Sequence, residues 1–96
     1  MKSKEEVLSL LSHNKLSIEK RFKVKKIGLF GSYARGEQTE NSDVDILVEV
    51  DPSIGLEFVT LADSIELLLG TKVDLVSHRA LKPRAKQHIE RELIYV

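Results

Sequence analysis

Residues 27–50 read Ile27-Gly28-Leu29-Phe30-Gly31-Ser32-Tyr33-Ala34-Arg35-Gly36, then Glu37-Gln38-Thr39-Glu40-Asn41-Ser42, then Asp43-Val44-Asp45-Ile46-Leu47-Val48-Glu49-Val50. The first apolar run is short and closed by glycine, which suits a buried strand better than a helix. In the last run side chains alternate, so Asp43 and Asp45 share one face while Val44, Ile46 and Val48 take the other. Two carboxylates this close repel each other unless something positive lies between them. A divalent cation answers that need, and Mg²⁺ favours one or two carboxylates together with substrate phosphates.

Gly31-Ser32 supplies the other half of such a site. Glycine lets the chain turn at a strand end and approach a ligand closely. Ser32 adds a hydroxyl, and Ser32-Tyr33-Ala34-Arg35 opens a short helix whose first N–H groups face an anion. Cradle and acid pair together suggest a nucleoside triphosphate with Mg²⁺. Gly31 to Gly36 also spells Gly-x-x-x-x-Gly, but Glu37-Gln38 stands where a P-loop needs Lys-Ser/Thr, so a Walker A reading fails. Arg35 is a candidate partner either for a phosphate or for the acidic loop after it. Tyr33 reads as a packing or surface aromatic.

Gly31-Ser32, ten intervening residues and then Asp43-Val44-Asp45 resemble the signature of the DNA polymerase β-like nucleotidyltransferases. The fuller string, from Gly28-Leu29-Phe30-Gly31-Ser32-Tyr33-Ala34-Arg35-Gly36 to Ser42-Asp43-Val44-Asp45-Ile46-Leu47-Val48, is most similar to the minimal nucleotidyltransferases, small prokaryotic proteins often paired with a helical HEPN-domain toxin. The likeness runs from about Val24 to the C-terminus. It implies a third carboxylate on a neighbouring strand, which here falls on Asp74 in Val73-Asp74-Leu75-Val76. It further implies ATP as substrate, AMP transfer to a toxin side-chain hydroxyl and an antitoxin role.

Phosphoryl-transfer chemistry then predicts two Mg²⁺ ions bridged by Asp43 and Asp45, about 3.5–4 Å apart, clamping the attacking and leaving oxygens. Asp74 would ligate the second ion or act as general base. So small a core leaves little surface for an acceptor pocket, which points to a shallow site completed by a second copy or a separate partner. The competing readings are a non-catalytic antitoxin that inhibits by contact, and an adenylyltransferase acting on a small molecule.

Composition narrows the field. A chain of 96 residues, 42% hydrophobic and 31% charged, fits one soluble domain over residues 1–96 with a modest core. Its formal net charge is zero, so direct nucleic-acid binding is not expected. No cysteine is present, which removes disulfides and thiolate metal sites. Neither a long apolar run nor a signal-like start occurs, so the expected location is cytoplasmic, without membrane contact.

The remaining elements follow from spacing. Ser3 and Glu6 form a capping-box pattern opening a helix to about Phe22, with a break expected at His13-Asn14. A strand spans Ile27 to Phe30, and Glu37 to Ser42 is an exposed loop. Leu56, Val59, Ala62, Ile65 and Leu69 read as the core stripe of a helix ended by Gly70. Lys72 to Val76 forms a third strand, where Asp74 must be solvated or paired. Pro83 starts a final helix to about Leu93, and Ile94-Tyr95-Val96 is an apolar tip. The expected fold class is α/β (α+β): a small mixed sheet flanked by helices, as in a polymerase β-like core.

Overall fold

The computed structural model describes residues 1–96. The Ser3 hydroxyl accepts the Glu6 N–H at 3.1 Å while the Glu6 carboxylate accepts the Ser3 N–H at 3.2 Å. This reciprocal cap opens α1, Lys4–Phe22. The expected break at His13-Asn14 is absent. Asn14 Nδ2 donates to the Leu10 carbonyl at 2.8 Å, and His13 Nδ1 lies 2.7 Å from the Ser9 carbonyl oxygen. Both side chains bond back onto the preceding turn, so polar residues that often leave a helix here ride along it.

Lys23 ends α1 in the left-handed conformation and hands the chain to β1, Val24–Phe30, three residues longer at its start than the apolar run suggested. The five-residue α2, Gly31–Arg35, follows at once, and the loop after it leads to β2, Val44–Val50. A 3₁₀ turn at Pro52–Ile54 precedes α3, Glu57–Leu69, and β3 spans Val73–Ser77. After a second 3₁₀ turn come α4, Pro83–Glu92, and β4, Ile94–Tyr95. The apolar tip is therefore a strand: it lies against β1, where Gly28 pairs with Tyr95 and Leu29 with Ile94.

The sheet order is β3-β2-β1-β4; only β2 and β3 run parallel. Val44, Ile46, Val48 and Val50 of β2 face α1 and α3, in one core with Val7, Leu11, Leu61, Ile65 and Leu69. Alternation sends Asp45 and Leu47 to the opposite face, where Leu47 packs with Phe30 and Ile89 of α4. Three layers result. The acids belong to the face that α4 covers only in part.

The α3 stripe needs correction. Leu61, Ile65 and Leu69 are fully buried, whereas Leu56 is 90% and Val59 61% exposed. Each three-residue step falls about 60° short of a full turn, so a row spaced 56, 59, 62, 65 walks round the helix from solvent into the core. No helix is long and apolar enough to cross a membrane.

Candidate active site

The β1–α2 junction fixes the site. Phe30 ends the strand extended, and Gly31 turns the chain at φ +76°. A Cβ added to Gly31 would collide with the Asp45 carboxylate, lying only 2.8 Å from its Cγ and 3.1 Å from its Cβ. The turn therefore rests directly on the acid. Ladder pairing explains why: Phe30 opposes Asp45 on β2, and Asp45 stands in register with Asp74 on the parallel strand β3. Neighbouring strands lie about 4.8 Å apart, and side chains in register share a face. The structure thus brings together Gly31, Asp45 and Asp74, with Asp43 just before β2 and Ser32 half-exposed beside them.

Electrostatics mark Asp45 as the strained member. Burial raises its pKa from 3.8 to about 6, reinforced by the charges of Asp74, Asp43 and Glu92 and opposed by Arg35. Asp43 and Asp74 are exposed, Asp45 half-buried. The lone carboxylate of β3 is thus solvated and has another acid for a neighbour. No three His, Asp or Glu side chains are gathered tightly enough to hold an ion as they stand. Like charges on exposed side chains spread apart when nothing cationic lies between them.

Arg35 is committed elsewhere. Its Nε donates to Glu37 at 2.6 Å and its Nη1 to Glu92 at 2.7 Å. Hydrogen bonds to Glu92 and then Glu37 raise its pKa. Of the two partners open to Arg35 in the sequence, the acidic loop is engaged, and Glu92 joins it. Tyr33 is buried in the main core and acts as packing.

Glu92 is the residue that sequence reasoning missed. Its Oε1 accepts the Gly31 N–H at 3.0 Å while its Oε2 accepts from Arg35. Burial would raise its pKa, but the bonds from Arg35 and Gly31 outweigh that and hold the carboxylate below its usual range. One signal was present. An acid in the last turn of a helix opposes the dipole and needs a partner to justify its place.

None of the five surface clefts is lined by Asp43, Asp45 or Asp74. The largest, about 490 Å³, opens instead between Met1, Lys2, Tyr33, Glu40 and Thr71. The acids stand on an open face, which suits a bulky acceptor better than a small enclosed one.

A nucleotidyltransferase domain model matches residues 13–96. The protein adenylyltransferase MntA of Thermococcus cleftensis is 47% identical over 94 residues, covering 96% of this chain and 94% of that one. A solved minimal nucleotidyltransferase superposes with a TM-score of 0.77 at 37% identity, over 92% of this chain and 93% of the other. A toxin–antitoxin crystal structure with AMP-PNP gives a TM-score of 0.72 at 29% identity, over 86% and 69% of the respective chains. Sequence match, fold and the Gly-Ser turn resting on an acid all agree: the chain belongs to the nucleotidyltransferase domain family, and it is a nucleotidyltransferase.

Proposed function

We propose that this chain transfers AMP from ATP to a side-chain hydroxyl of a HEPN-type toxin, and so serves as the antitoxin of a two-protein module. The observation that carries the reading is the contact of Gly31 with the Asp45 carboxylate, with Asp74 in register beside it. The adenylyltransferase name of the Thermococcus relative and the AMP-PNP in the related toxin–antitoxin structure support the donor and the partner.

The residues also fit a divalent cation. Asp43, Asp45 and Asp74 offer only carboxylate oxygens, which hard cations prefer. Burial, with the charges of Asp74 and Asp43 nearby, raises the pKa of Asp45, and the nearby guanidinium of Arg35 is already taken by Glu37 and Glu92. Asp43, Asp45 and Asp74 would hold Mg²⁺, two ions in all. Bound Mg²⁺ neutralises charge on the triphosphate and eases deprotonation of the attacking hydroxyl.

Gly31 and Ser32 orient the triphosphate, through the close backbone approach that glycine allows and through the Ser32 hydroxyl and N–H. Arg35 braces the end of the cradle helix through its bonds to Glu37 and Glu92. The acceptor oxygen attacks the α-phosphorus, its bond to phosphorus forms as the α–β bridging bond breaks, and pyrophosphate departs. Asp74 takes the hydroxyl proton if it serves as base rather than ligand. The open acidic face lets another folded protein present the acceptor.

Incubation with Mg²⁺ and α-³²P-ATP, with and without the toxin, tests this directly. Label is expected on the toxin and absent with Asp43→Ala/Asp45→Ala. Toxin neutralised equally well by that double variant, without label, would sink the reaction in favour of inhibition by contact.

A further inference from the structure

The helix α2 begins without a cap of its own. Phe30 occupies the capping position and offers no acceptor, so the Gly31 N–H is one of the orphan donors of a helix start. Its acceptor comes from Glu92, 61 positions along the chain, through Oε1 at 3.0 Å. The other oxygen of that carboxylate receives Arg35 Nη1 at 2.7 Å. One side chain thus grips both ends of the five-residue turn.

The flanking residues bring Glu92 there. Leu93 lies where a Cβ on Gly28 would meet its Cδ1 at 2.6 Å, so glycine lets that side chain settle on β1 without shifting. Ile94 and Tyr95 then pair with Leu29 and Gly28, and the Val96 N–H donates to the Ile27 carbonyl at 3.0 Å. The Glu92 side chain is only 16% exposed. A carboxylate that is half-buried, opposed by its own helix dipole and doubly bonded to a distant turn is placed for the turn rather than for its helix.

We infer that Glu92 is a positioning residue for nucleotidyl transfer: by bonding Gly31 and Arg35 together, it sets the orientation in which Ser32 meets the triphosphate. The inference rests on the function proposed above. Neutralising the carboxylate in Glu92→Gln keeps an acceptor for Gly31 but turns an N–H₂ towards Arg35. Truncation in Glu92→Ala removes both bonds.

The test compares wild type, Glu92→Gln and Glu92→Ala for affinity towards a fluorescent ATP analogue with Mg²⁺, for label transfer to the toxin, and for melting temperature. Misplacing a binding group by about 1 Å costs up to about 10²-fold. Glu92→Ala is therefore expected to weaken nucleotide affinity and raise KM for ATP about tenfold or more. Glu92→Gln should fall between it and wild type, since it folds with nearly the same shape. A lower melting temperature with unchanged constants per folded molecule would reduce Glu92 to a structural strut and overturn the inference. Tighter nucleotide binding would overturn it too, by showing that the carboxylate obstructs the cradle. Wild-type protein that binds nucleotide but transfers no label would refute the proposed reaction and leave the affinity comparison to judge Glu92. A wild type that binds no nucleotide would overturn both.

Discussion

Asp45→Asn is expected to abolish transfer and at the same time to make the protein more stable. The loss should reach at least about 100-fold, because the substitution removes an anionic oxygen from the centre of the acid set. The gain follows from the raised pKa of about 6 against an ordinary 3.8. A pKa raised on folding means that ionisation costs more in the folded chain than in the unfolded one. Below about pH 4 both states are protonated and the penalty vanishes. It grows as pH rises towards 6 and is complete above that. Two units correspond to about 2.7 kcal/mol, and solvent reaching the half-buried carboxylate reduces this to about 1 kcal/mol. In a domain this size that is about 4–8 °C in Tm. Calorimetry in metal-free buffer should show the variant melting higher at pH 7.5 and level with wild type at pH 3.5. Equal melting at both pH values would refute the electrostatic account.

Gly31→Ala is expected to damage fold and function together. A methyl group there must adopt φ near +76° and would strike the Asp45 carboxylate. Left-handed strain costs about 1–2 kcal/mol, and crowding a packed site adds about 1–3 kcal/mol. Moving Asp45 aside should lower transfer by about 100-fold. Gly36→Ala is the matched control. Its φ is +71°, but a Cβ there meets nothing within 4 Å, so it carries the strain without the collision and should keep most activity. Melting curves and label transfer on both variants decide the matter. Equal losses in the two would show that backbone strain alone, and no contact with Asp45, makes Gly31 necessary.

What the sequence made legible was local. Gly31, Ser32, Asp43 and Asp45 lie within one short stretch, where alternation and turn chemistry speak for themselves. The register that sets Asp74 beside Asp45 was visible only through resemblance, because nothing in Val73-Asp74-Leu75 says which strand it will join. For Glu92 the sequence offered only an acid opposing its helix dipole; its partner 61 positions away leaves no periodic trace. The α3 stripe holds at Ile65 and Leu69 but not at Leu56 and Val59, since steps of three retreat round a helix while Leu61, Ile65 and Leu69 repeat in steps of four. The C-terminal residues read only as an apolar tip because two residues are too few to show alternation. Gly28 on β1 leaves room for the Leu93 and Tyr95 side chains.

That two-residue edge strand has a thermal consequence. Its detachment breaks a few ladder bonds and exposes little of the main core, so it belongs to the openings that cost far less than global unfolding. Glu92 ends α4 two residues before that strand, so loosening the strand weakens the grip on the Gly31 turn. Heating should therefore silence the enzyme at a temperature where the helices and the inner strands still hold, and cooling should restore it without any refolding of the core.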